Sequence, residues 1–177
     1  TFDAVLFDMD GTLIDSTPVV IRSWLRWAEE FGVPQTALIG MHGVPAAGLI
    51  ARLLPEQVRE AAMARILELE ENDVDGIVTL PGAVEALTSL PAGRVAIATS
   101  CTRRLGAIRA GAANLPVPDV MVVADDTPIG KPNPEPYLLA AERLGAAADR
   151  CLVVEDATSG VQAGRAAGCA TLAVLTR

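Results

Sequence analysis

Short apolar runs separated by longer segments of helical period set the plan of this chain. The runs Ala4–Phe7, Val95–Ala98, Val120–Ala124, Leu152–Val154 and Thr171–Leu175 are continuous rather than alternating, the pattern of strands buried on both faces. Helix-period segments stand between most of them, which makes a βαβ rhythm. Right-handed crossovers then predict an α/β fold. Its open, doubly wound parallel sheet carries helices on both faces and gathers the loops at the carboxyl ends of the strands on one edge.

One stretch breaks the rhythm. From about Thr17 to Thr79 the sequence carries helical patterns and no convincing strand. Its first helix is expected to start with Thr17 as N-cap and Pro18 at the first helical position. Val20, Trp24, Trp27 and Phe31 then share one stripe before Gly32. That spacing marks the aromatics as packing residues rather than ligand-stacking ones. A further helix is expected after Pro55, with Val58, Ala62, Ile66 and Leu69 on its apolar face, before Pro81-Gly82 turns the chain back to the sheet. The expected division is a Rossmann-like core of residues 1–16 and 80–177 with a helical cap, residues 17–79, inserted into it.

Composition narrows the class. With 177 residues and 51% apolar content the chain can bury a full core, one domain with a modest insertion. A formal charge of -8 repels polyphosphate backbones, so no nucleic-acid partner is expected. A small phosphate ester is not excluded, because a bound cation and a lysine can meet its charge locally. Cys101, Cys151 and Cys169 are odd in number and lack CxxC spacing, which argues against a disulfide framework and a zinc site and for a reducing cytoplasm. No apolar run approaches the roughly 20 residues of a membrane span, and the opening residues lead into an acidic strand rather than a basic signal segment.

The polar residues able to do chemistry sit where the apolar runs end. The first strand runs into Asp8-Met9-Asp10-Gly11-Thr12, two carboxylates two residues apart where Gly11 permits a tight turn. Such a pair can bind Mg2+ through oxygen while one member attacks and the other moves a proton, although an isolated Asp-x-Asp is also a common turn device. Val95-Ala96-Ile97-Ala98-Thr99-Ser100 ends a strand in two hydroxyls before a helix, so Ser100 and the Cys101 amide can grip an anion, or Ser100 can simply cap that helix. In Gly130-Lys131-Pro132-Asn133-Pro134 the prolines restrict where a lysine points, unlike a free surface Lys. Val153-Val154-Glu155-Asp156 ends a further strand in carboxylates before Ala157-Thr158-Ser159-Gly160, where acidic residues either serve a cation or cap a helix. Together the segments meet the needs of phosphoryl transfer: positioning, charge neutralisation and an anion cradle.

In this order, each at a predicted strand end or neighbouring loop, the four segments resemble the four sequence motifs of the haloacid dehalogenase superfamily, and the resemblance spans nearly the whole chain. It implies a Mg2+-dependent phosphatase in which Asp8 is the nucleophile that forms an aspartyl-phosphate. Asp10 is then the acid/base that protonates the leaving oxygen and later activates water. Ser100 and Lys131 are implied to hold the phosphoryl oxygens, with Gly11, Thr12 and Cys101 beside the substrate. Asp156 is the implied metal ligand, joining Asp8 and the backbone carbonyl of Asp10, with Glu155 as a direct or indirect partner.

Other readings are weaker. Dehalogenases of the superfamily lack the second aspartate of the first motif, so Asp10 favours phosphate chemistry. Phosphomutases of the β-phosphoglucomutase type typically carry a His five residues after the position matching Asp15, and here that position is Val20. Receiver domains of response regulators also use Asp, Ser/Thr and Lys around Mg2+, but their acidic pair and phosphoacceptor sit on different strands and they have no cap insertion. Met41-His42-Gly43 followed by a helix, and Leu80-Pro81-Gly82-Ala83 at the return, resemble the subgroup of sugar phosphatases and glycerol-phosphate phosphatases that includes 2-deoxyglucose-6-phosphate phosphatases. That resemblance implies a small phosphorylated sugar or polyol as substrate and His42 as a cap contact, though a lone loop His is more often structural.

Overall fold

All five apolar runs contribute strands in the computed structural model, which describes residues 1–40 and 45–176. In chain order the elements are β1 (Ala4–Phe7), β2 (Ile14–Asp15), α1 (Thr17–Glu30), α2 (Ala46–Leu53), α3 (Glu56–Asn72), β3 (Val78–Thr79), α4 (Ala83–Thr88), β4 (Val95–Ala98), α5 (Arg103–Ala112), β5 (Val120–Val122), α6 (Glu135–Arg143), β6 (Cys151–Glu155), α7 (Thr158–Ala166) and β7 (Ala170–Ala173). Five strands form one sheet in the order β5-β4-β1-β6-β7, every pairing parallel.

The period of two along each strand divides the core. Val5 and Phe7 of β1 and Val95 and Ile97 of β4 join a cluster with Leu87 of α4 and Leu105 of α5. Ala4, Leu6, Ala96 and Ala98 face the opposite cluster, closed by Tyr137 and Ala140 of α6 and Ala163 of α7. The sheet is therefore covered on both sides, as continuous apolar strands require.

Strand ends differ from expectation where turn bonding intervenes. β5 stops at Val122 because the chain tightens into a 3₁₀ turn over Ala124–Asp126, with the Ala124 amide donating to the Cys101 carbonyl at 2.8 Å. β7 lies earlier than expected, because its pairing with β6 starts at Leu152 opposite Ala170 and ends at Glu155 opposite Ala173. The expectation of no strand within 17–79 needs correction. β2 and β3 form a short antiparallel ladder, Ile14 opposite Thr79 and Asp15 opposite Val78, and two-residue strands are too short to show a period.

α1, α2 and α3 build a third cluster, whose buried members all come from residues between Trp24 and Leu69. The predicted stripe is present: the Trp24 and Trp27 rings meet edge-on at 5.1 Å, and Trp27 lies 5.0 Å from Phe31. Trp27 also donates from Nε1 to the Ala62 carbonyl at 2.9 Å, which satisfies its one polar group. Two details depart from expectation. Ser16, not Thr17, occupies the N-cap position, while Asp15 accepts the Thr17 amide at 3.0 Å. Val58, expected on the apolar face of α3, is 37% exposed, so that face begins at Ala62.

Trp27 has no exposed surface, so Trp27→Ala should cost about 3–5 kcal/mol of unfolding free energy. Chemical denaturation checks this, and a loss below about 1 kcal/mol would contradict the packing described.

Candidate active site

β4 and β6 flank β1, with Phe7 opposite Ile97 on one side and Val154 on the other. The residues that follow on each strand therefore emerge together at one edge of the sheet. The Asp8 amide extends β1 by one bond to the Val154 carbonyl at 3.0 Å, which holds the Asp8 carboxylate beside Glu155 and Asp156. Carboxylate oxygens of these three residues lie within 4.8 Å of one another.

Lys131 enters this group from the proline-bounded turn before α6. Its Nζ donates to Asp8 Oδ1 at 2.6 Å and to Glu155 Oε1 at 2.8 Å, and sits 4.9 Å from the centre of the Tyr137 ring. Tyr137 donates its hydroxyl to the same Glu155 oxygen at 3.2 Å, and the Ala157 amide donates to Glu155 Oε2 at 2.7 Å. Both oxygens of Glu155 are thus engaged, and its carboxylate serves to orient Lys131. Burial opposes the Lys131 charge, but Asp8, Tyr137 and Glu155 outweigh it and hold the ammonium well above its ordinary pKa. Burial, reinforced by Glu155 and Asp10, pushes the Asp8 carboxyl up to about 7 against the pull of Lys131. Gly160 is part of the same construction. A Cβ there would lie 1.5 Å from Glu155 Oε1, so only glycine leaves room for the carboxylate.

Asp10 faces a different set of partners. Oδ1 accepts from Ser16 Oγ at 2.6 Å and Arg109 Nη1 at 2.8 Å, and Oδ2 from Cys101 Sγ at 3.1 Å. Its side chain stands outside the Asp8–Glu155–Asp156 group. Gly11, at φ 91°, closes the turn by donating its amide to the Ile14 carbonyl at 2.8 Å, and the Thr12 amide turns back to Met9 at 3.3 Å. These two residues shape the turn and do not line the cavity described below, in contrast to the substrate contact expected of them. The Cys101 amide, expected to grip an anion, donates to Thr99 Oγ1 at 3.1 Å. Burial raises the Cys101 thiol well above its usual range.

A cavity of about 420 Å³ brings Asp8, Asp10, Ser100, Cys101, Lys131, Glu155 and Asp156 to one wall, and Val20, Trp24, Leu49, Met63 and Leu67 of the α1–α3 segment to another. His42 lies outside the described residues. Sequence reasoning missed Arg109, Glu70 and Tyr137. The spacing Leu105 to Arg109 was a usable signal, since four residues apart on α5 places both on the buried face.

The haloacid dehalogenase-like hydrolase family model matches residues 2–168. Hexitol phosphatase A of Escherichia coli (strain K12) is 41% identical over 175 residues, covering 96% of this chain and 81% of that protein. Glycerol-1-phosphate phosphohydrolase 1 of Saccharomyces cerevisiae is 32% identical over 188 residues, covering 98% of this chain and 75% of that protein. Among solved structures, a hydrolase from Pseudomonas syringae superposes with a TM-score of 0.87 at 27% identity, covering 98% of this chain and 85% of that one. The chain belongs to the haloacid dehalogenase-like hydrolase family and, like the phosphatases to which it is similar, is an enzyme.

Proposed function

We propose that this enzyme is a Mg2+-dependent phosphatase that hydrolyses phosphate monoesters of small sugars or polyols, with the phosphoryl group carried in transit on Asp8. The observation that carries the reading is the pairing of a buried carboxylate, Asp8, with a buried ammonium, Lys131, at 2.6 Å on the floor of a metabolite-sized cavity. The similarity to hexitol and glycerol-1-phosphate phosphatases supports the substrate class. Val20 lines the cavity where phosphomutases of similar sequence carry a His, which favours hydrolysis over isomerisation.

The residues fit Mg2+. Asp8, Glu155 and Asp156 gather three carboxylates beside one ammonium, with oxygens within 4.8 Å of one another, and the donor atoms are all oxygen. Asp8 and Asp156 would hold the ion, with the Asp10 main-chain carbonyl beside them, while Glu155 holds Lys131. Bound Mg2+ would neutralise charge on the phosphoryl oxygens.

In the first half-reaction an Asp8 oxygen bonds to phosphorus, the ester P–O bond breaks, and the departing oxygen takes a proton from Asp10. In the second, a water gives a proton to Asp10 and its oxygen bonds to phosphorus, so that inorganic phosphate leaves and Asp8 is restored. Lys131 and Ser100 orient the phosphoryl oxygens. Residues 17–79 act as a cap whose apolar wall closes over the ester and excludes water. The enclosed volume suits a small metabolite rather than a duplex. Among the described residues no helix is long and apolar enough to cross a membrane, and the three cysteines are buried and free, in keeping with a cytoplasmic setting.

Phosphate release from p-nitrophenyl phosphate, hexitol phosphates and glycerol phosphate should require Mg2+ and stop on chelation without loss of the circular dichroism signal. Asp8→Asn should lower kcat more than about 1,000-fold in a folded protein. Substantial activity in that variant would sink the nucleophile, and efficient isomerisation of β-glucose 1-phosphate with negligible phosphate release would sink the hydrolase. Gly160→Ala supplies a test of opposite sign to ordinary helix behaviour, where Ala stabilises by about 1 kcal/mol. Here the new Cβ must displace Glu155 and unseat Lys131, so thermal stability should fall and kcat should drop roughly 100-fold. Wild-type kcat with a raised Tm would contradict the role given to Glu155.

A further inference from the structure

Arg109 is 4% exposed, yet it joins two parts of the molecule. Its Nη1 donates to Asp10 Oδ1 at 2.8 Å and to Cys101 Sγ at 3.3 Å, while Nη2 lies 3.3 Å from Glu70 Oε2 on α3. A buried guanidinium needs carboxylates around it, and without it Asp10 and Glu70 would confront each other with no positive charge between them. A second ion pair, Arg104 Nε to Glu71 Oε2 at 2.7 Å, ties the same two helices, but it lies nearer the surface and does not touch Asp10. Of the two links between α5 and α3, only the buried one therefore reaches the reacting groups. Arg109 and Glu70 both line the cavity that holds Asp8.

We propose, resting on the reading of Asp10 as the acid that protonates the leaving oxygen, that Arg109 is the positioning residue for Asp10 and that Glu70 couples this position to the seating of α3 on α5. Arg109 fixes one Asp10 oxygen in space, and Glu70 holds the guanidinium by charge at Nη2, an ion pair without a hydrogen bond. A shift of the helical segment away from α5 loosens the clamp and lets the proton donor drift from the ester oxygen.

The two kinds of leaving group separate this role from a merely structural one. An alkoxide from glycerol phosphate needs a proton as it departs, whereas p-nitrophenolate leaves without one. The ratio kcat/KM covers the steps through departure of the alcohol, so the later action of Asp10 on water does not enter. Arg109→Met should lower kcat/KM for glycerol phosphate roughly 100-fold and for p-nitrophenyl phosphate less than about 5-fold. Glu70→Gln keeps Arg109 in place and should give the same selective loss at about 3- to 10-fold, and it carries the test alone if Arg109→Met does not fold. Equal losses on both esters, or an unchanged or faster reaction of glycerol phosphate, would overturn the positioning role. A wild-type enzyme that releases phosphate from neither ester would instead overturn the phosphatase reading on which it rests.

Discussion

A lysine ammonium buried to 4% side-chain exposure keeps its charge only if carboxylates surround it, and much of the architecture follows from holding Lys131 in this way. Asp8 and Glu155 take two of its three protons in hydrogen bonds of 2.6 and 2.8 Å. Glu155 must then be fixed itself, which Tyr137, the Ala157 amide and the bare Cα of Gly160 accomplish together. Removing one partner of such a buried pair costs about 3–5 kcal/mol because the other charge is stranded. The same burial pushes the Asp8 carboxyl up to about 7 against the pull of Lys131.

The sheet supplies the precision that this cluster needs. Because β1 is hydrogen-bonded to both β4 and β6, the residues at its carboxyl end are set beside those that follow Ile97 and Val154. The chain runs from β1 outward to one side through β4 and β5, then returns to the other through β6 and β7. That reversal opens a crevice at the carboxyl ends of the central strands, where ligands bind in open α/β sheets. The helical segment departs and returns through the β2–β3 ladder only a few residues from Asp10, so its position and the chemistry share one short stretch of backbone.

How much of this was legible in the sequence depended on the kind of signal. Continuous apolar runs identified the strands, and Asp8, Ser100, Glu155 and Asp156 stood out because each follows or ends such a run, which is why the structure brings them to one cavity. Lys131 was found because prolines bound it. β2 and β3 escaped because two residues have no period, and β5 was overextended because the Ala124 amide finds a partner in Cys101 that no local pattern announces. The engagement of the Cys101 amide by the Thr99 hydroxyl was hidden for the same reason. Arg109 and Glu70 were missed because a charge on a helix usually marks a solvated face. Only the tertiary meeting of α3 with α5 shows that these two are buried against each other.

Acid quenching during turnover, followed by borohydride reduction and peptide mass spectrometry, reads directly whether Asp8 carries the phosphoryl group. Hydride reduces an acyl phosphate to an alcohol and leaves a free carboxylate intact, so residue 8 should be recovered in part as homoserine, in Mg2+-dependent fashion and at no other carboxylate. Full recovery of unmodified Asp8 from an enzyme quenched in the act of releasing phosphate, or reduction at Asp10 or Asp156 instead, would contradict the account.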